Sequence, residues 1–118
     1  MKKMILGRTG IEISRTGFGA LPIQRVSFED AAALLNRALD GGVTYIDTAR
    51  MYTDSEEKIG CAVSHRRGEF TIATKTHAKT AEGLVEDVLY FAAAFGAVAG
   101  GIRCHRIAQA AIGMASFV

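Results

Sequence analysis

Long apolar runs, paired cysteines and a basic stripe are all missing from this 118-residue sequence, and each absence closes a class of function. The longest weakly polar stretch, 88–102, is interrupted by Gly96, Gly100 and Gly101. It falls short of the roughly 20 apolar residues a spanning helix needs. The opening Met-Lys-Lys-Met-Ile-Leu is too short an apolar run for a signal peptide. Cys61 and Cys104 stand far apart in no zinc or redox spacing, so neither a disulfide scaffold nor a metal site is expected. A reducing cytoplasm is the natural compartment. The net charge is +2 and the one basic cluster is His65-Arg66-Arg67, too little for a nucleic-acid partner. What is present, 49% hydrophobic and 22% charged residues, suits one soluble globular domain with a modest core.

Read along the chain, the pattern alternates strand and helix. Residues 4–6 and 11–13 flank Gly7-Arg8-Thr9-Gly10, which predicts a β-hairpin whose glycines supply positive φ. A short apolar run at 16–20 contains Gly17 and Gly19, and glycine in a strand marks a bulge or a close approach to the backbone. Ser27 is a good N-cap for a helix with Ala31, Leu34, Leu35, Ala38 and Leu39 at helical spacing, stopped by Gly41-Gly42. A strand at 43–46, a helix from Asp54 or Ser55 through Val63, and a strand at 70–74 follow. Glu56 and Glu57 fall in the second helix's first turn, where the helix dipole favours them. Thr80 then caps a third helix. Repeated strand–helix units imply an α/β fold with a parallel sheet.

Two strands deliver polar groups to one rim. Asp47 ends Tyr45-Ile46-Asp47, Lys75 ends Ala73-Thr74-Lys75, and Tyr52 lies in the loop after Asp47. The carboxyl ends of parallel strands are where such folds place functional groups. An ammonium near a phenol stabilises the phenolate, and a carboxylate holds the ammonium in place, which yields a general acid for a carbonyl oxygen. Taken singly, each residue has a plainer reading: Asp47 as a cap or turn residue, Tyr52 as packing, Lys75 as a solvated strand end.

The motifs themselves are more specific. Leu-Gly-Arg-Thr-Gly-Ile-Glu-Ile-Ser at 6–14, Gly17-Phe18-Gly19-Ala20, the segment 45–60 with Asp47-Thr48-Ala49, Tyr52 and Ser55-Glu56, and Ala73-Thr74-Lys75 closely resemble aldo/keto reductases. The resemblance covers roughly residues 4–83. It implies the N-terminal part of a (β/α)8 TIM barrel that uses NADPH or NADH to interconvert carbonyls and alcohols, with a small-molecule carbonyl compound as substrate. By the family scheme Tyr52 would donate the proton, Lys75 would ease its ionisation and Asp47 would pair with Lys75. Gly19, Ala20 and Leu21, with Asp47, would lie beside the nicotinamide. The hairpin would plug the bottom of the barrel. The family also holds non-catalytic relatives that serve as subunits of other proteins, which is the alternative function.

The remainder departs from that pattern. A barrel of this kind takes about 250 residues, so the expectation is truncation after about three βα units. The chain then divides into a partial barrel at 1–83 and an atypical Ala/Gly-rich tail at 84–118. Codons for residues 90–96 read one base later permit an amphipathic Thr-Ser-Leu-Arg-Arg-Leu, so an out-of-frame origin is one account of the tail. The family's fourth catalytic residue is a histidine; His105 falls at its spacing, but its neighbours do not resemble that strand, and it is read as coincidence. His65 and His77 are read as surface residues and Cys61 as core-facing. With open sheet edges, the chain alone is expected to be unstable, aggregation-prone or dependent on a partner.

Overall fold

The computed structural model describes residues 1–96. A separate antiparallel hairpin pairs β1 (Lys3–Ile5) with β2 (Glu12–Ser14), Met4 opposite Ile13. Its turn holds Gly7 at φ 54° and Gly10 at φ 73°, which L-residues with a side chain adopt at a cost. The outer strand β1 is exposed throughout, while Ile13 and Ser14 are buried. Ser14 ties the hairpin to the rest: its N–H donates to Thr44 Oγ1 at 2.7 Å and its Oγ accepts from the Thr44 N–H at 2.9 Å.

The main sheet is parallel and three-stranded, in the order β3 (Phe18–Gly19), β4 (Tyr45–Asp47), β5 (Thr71–Ala73). Phe18, Ile46 and Ile72 lie side by side in register, and so do Gly19, Asp47 and Ala73. That register sets the carboxyl ends of all three strands at one level. The α/β reading with a parallel sheet holds. The strands are shorter than the apolar runs at 43–46 and 70–74 suggest, although main-chain bonds continue between the two segments on either side, from the Thr71 N–H to the Thr44 carbonyl and from the Thr48 N–H to the Ala73 carbonyl.

Three α-helices connect and cover the sheet: α1 (Phe28–Asp40), α2 (Ser55–Val63) and α3 (Ala81–Gly96). Ser27 caps α1 by accepting from the Asp30 N–H at 3.0 Å, and Gly42 leaves its end at φ 89°. Ala31, Leu35 and Leu39 form its buried stripe, whereas Leu34 stays 46% exposed. With Ile23, Ile46, Ile59, Val63 and Phe70 they make the core. Full burial of one such branched side chain contributes about 2 kcal/mol. Two 3-10 segments were not foreseen: Leu21–Arg25 after β3, with Pro22 in its first turn, and Ser64–Glu69 after α2. Cys61 on α2 is half-buried rather than enclosed by the core.

Helix α3 begins where Thr80 predicts it, with Thr80 Oγ1 accepting from the Gly83 N–H at 3.1 Å. It then continues without a break through position 84 to Gly96. Its small residues explain this: Ala94 packs directly on Gly60 of α2, and Tyr90 and Ala94 are buried. Its other face leaves Leu84, Val85, Val88 and Leu89 about half exposed. No helix among the described residues is long and apolar enough to cross a membrane. Cys104 and His105 lie outside the described residues.

Candidate active site

Parallel register brings the polar strand ends together. Asp47 closes β4, and Lys75 stands two residues beyond the end of β5. The stagger is fixed by main-chain bonds past the strands: the Thr48 N–H donates to the Ala73 carbonyl at 2.8 Å and the Arg50 N–H to the Lys75 carbonyl at 2.9 Å. Lys75 Nζ thereby reaches both carboxylate oxygens of Asp47 at 2.9 Å and the Thr48 carbonyl at 2.6 Å. All three of its acceptors come from the end of β4. Asp47 and Lys75 are each nearly half exposed, so the pair faces open space at the rim.

Tyr52 sits on the loop between β4 and α2, half-buried, with Lys75 Nζ 5.7 Å from its ring centroid. The loop is held tightly. The Tyr52 N–H donates to the Ala49 carbonyl at 3.0 Å, and the Tyr52 carbonyl accepts from the Ser55 N–H at 2.8 Å. Thr53, a β-branched residue, is held at φ 47°, a conformation that persists only where the surroundings over-determine it. Asp47, Tyr52 and Lys75, singled out from the sequence, therefore lie together.

The loop after β3 borders the same rim. The Ala20 N–H donates to the Asp47 carbonyl at 2.8 Å, and the Ala20 carbonyl accepts from Ser55 Oγ at 3.1 Å. Ala20 is fully buried with both main-chain groups engaged, whereas Gly19 and Leu21 are exposed. A Cβ on Gly19 would meet nothing within 4 Å, so the close approach suggested by its place in a strand is absent there. Gly17 shows one instead, where a Cβ would stand 3.0 Å from the Tyr45 ring.

Beneath the rim lies a polar layer that sequence reasoning missed. The sequence marks the first turn of α2 as acidic and dipole-favoured, yet Ser55, Glu56, Glu57 and Lys58 are all buried. Ser55 Oγ bonds Thr48 Oγ1 at 3.0 Å. Lys58, 3% exposed, pairs with Asp54 at 3.0 Å and donates to the Ile23 carbonyl at 3.0 Å, closing the Leu21–Arg25 segment. Thr74 Oγ1 donates to Glu56 Oε1. Glu56 Oε2 has no hydrogen-bond partner among the described residues. Burial pushes the Glu56 carboxyl above its ordinary range, opposed by the Thr74 hydrogen bond and the Arg50 charge and reinforced by Asp87. The available signal was the Ser55-Glu56 pair inside the 45–60 motif; nothing in hydropathy marks two buried carboxylates.

Arg50 joins this layer to α3. Its guanidinium stacks 3.8 Å from the Tyr90 ring centroid and its Nε lies 3.6 Å from Asp87 Oδ1. Thr76 Oγ1 also donates to Asp87. No cluster of metal-ligating side chains occurs among the described residues.

Comparison with known proteins agrees with the motif resemblance. Residues 4–92 match the model of the aldo/keto reductase family. An uncharacterized oxidoreductase of Bacillus subtilis is 34% identical over 77 residues, 64% of this chain and 25% of the relative. The L-galactose dehydrogenase of Arabidopsis thaliana is 35% identical over 79 residues, 59% of this chain and 25% of that enzyme. A solved aldo-keto reductase of Bacillus halodurans, in its holo form, superposes with a TM-score of 0.68 at 23% identity, over 81% of this chain and 37% of its own. The chain thus spans about a quarter of the length of these curated relatives. With the family model matched across both glycine segments and both polar strand ends, this chain belongs to the aldo/keto reductase family.

Proposed function

We propose that this chain carries the proton-donating part of an NAD(P)H-dependent carbonyl reductase, with Tyr52 as general acid, Lys75 beside it and Asp47 holding Lys75. The single observation that supports this most is the grip on Lys75: three acceptors from one strand end fix an ammonium 5.7 Å from the centre of the Tyr52 ring. An exposed lysine without a task has no need of such placement.

The nicotinamide cofactor, when bound, supplies hydride to the carbonyl carbon. Gly19 and Leu21 offer an exposed shelf of main chain and apolar side chain next to Asp47, and the open space over Gly19 fits a flat ring. Ala20 supports that shelf from below. As the carbonyl oxygen gains charge, the Tyr52 hydroxyl passes its proton to it, and the phenolate that remains faces the Lys75 ammonium. Asp47 keeps that ammonium oriented. Positioned proton transfer of this kind is worth about 10²–10⁴ in rate. The substrate is a small aldehyde or ketone. By the family resemblance, the rest of the cofactor site and a fourth catalytic group would come from further barrel strands.

A hybrid barrel tests the assignment. Residues 1–92 replace the matching segment of the Bacillus halodurans aldo-keto reductase, and NADPH oxidation is followed with a simple aldehyde. Turnover is expected, and Tyr52→Phe in the hybrid should lower it by at least about a hundredfold while NADPH binding stays. Turnover unchanged by Tyr52→Phe would remove the residue from the mechanism.

A further inference from the structure

The first turn of α2 touches the ends of all three parallel strands. Ser55 Oγ donates to the Ala20 carbonyl just after β3 and bonds Thr48 Oγ1 just after β4. One residue later, Glu56 Oε1 accepts from Thr74 Oγ1 just after β5. Glu56 is 2% exposed. A carboxylate so deeply buried costs free energy, and an apolar side chain would fill the same volume without that cost. What an apolar side chain could not provide is its hydrogen bond to Thr74.

That bond bears on Lys75. Its ammonium is held wholly from the end of β4, but its backbone belongs to the end of β5. Successive residues of an extended chain point to opposite faces, so Thr74 anchors one face while Lys75 projects from the other. The Arg50 N–H to Lys75 carbonyl bond fixes the height of this segment. The Thr74 to Glu56 bond fixes its rotation about the strand axis.

We propose that Glu56 is a positioning residue: through Thr74 it sets the rotation of the β5 end and so aims Lys75 at Asp47 and the ring of Tyr52. The proposal rests on the reading of Lys75 as the cation that serves Tyr52.

The test uses the 118-residue chain, ¹⁵N-labelled, and follows the Lys75 Nζ proton signal by NMR in the cold at mildly acidic pH, where its three acceptors slow exchange with water. The signal is assigned by its disappearance in Lys75→Met. Thr74→Val and Glu56→Leu should each lose it, while Glu56→Gln, which keeps an oxygen for Thr74, should retain it. A purely structural role would change stability in Glu56→Leu without moving the lysine signal. Thr74 is exposed, so Thr74→Val folds even if Glu56→Leu does not. An unchanged Lys75 signal in folded Thr74→Val overturns the proposal. The underlying reading is checked separately: the Tyr52 ring resonances should shift in Lys75→Met, and if they do not, it is the Lys75–Tyr52 assignment that fails.

Discussion

Gly60 of α2 lies against the main chain of Ala94 in α3 so closely that a Cβ on Gly60 would stand 2.0 Å from the Ala94 carbonyl oxygen. Backbone meets backbone there, and no side-chain rotation can relieve a clash. Replacing glycine inside a helix usually gains about 1 kcal/mol, but overpacking against immovable atoms costs about 1–3 kcal/mol. Because the 2.0 Å approach puts the cost at the upper end of that range, Gly60→Ala is expected to destabilise the chain by about 2 kcal/mol net, read as a lower urea midpoint. A midpoint at or above the wild-type value would mean that the two helices do not dock this way.

Removing Lys75 should separate stability from chemistry. Its partner Asp47 and its own side chain are both nearly half exposed, and exposed ion pairs contribute about 0–1 kcal/mol. Lys75→Met in the hybrid barrel should leave the urea midpoint nearly unchanged and lower turnover by about a hundredfold or more. Equal losses of both would indicate a structural lysine.

Lys58 presents the opposite case. It is buried, and its ammonium satisfies the Ile23 carbonyl as well as Asp54. In Lys58→Met that carbonyl loses its charged donor and keeps only the Val26 N–H at 3.3 Å, while half-exposed Asp54 turns to water. The expected cost is about 2 kcal/mol. Hydrogen exchange should show faster opening at the Val26 N–H, which closes the same 3-10 segment onto Ile23.

Glu56 gives stability a pH dependence of predictable sign. Burial raises its carboxyl in the folded state above the ordinary value of 4.5. The folded chain then binds more protons than the unfolded chain in the window above that value, so stability falls as pH rises through it. Glu56→Gln abolishes this contribution. The difference in unfolding free energy, variant minus wild type, should grow more favourable to the variant from about pH 4 upward. A difference independent of pH would mean that Glu56 is solvated.

The amino-acid sequence by itself determined which segments become strands and helices, because those signals are local. Ser27 caps α1, Gly42 takes the left-handed conformation at its end, and Thr80 starts α3. It also determined that Asp47 and Lys75 share a rim, since parallel strands joined by helices put all carboxyl ends on one side. Only the tertiary structure decided what lies under that rim. Glu56 reads only as a dipole-favoured acid of a first helical turn, and Lys58 carries no signal at all, until the ends of β3 and β5 close over them and provide their partners. The Ala-rich stretch after Gly83 carries no periodicity that separates an inner from an outer face. Its part up to Gly96 became one helix with the capped segment before it because Gly60 gives Ala94 room to dock, a contact 34 residues apart that no local pattern encodes.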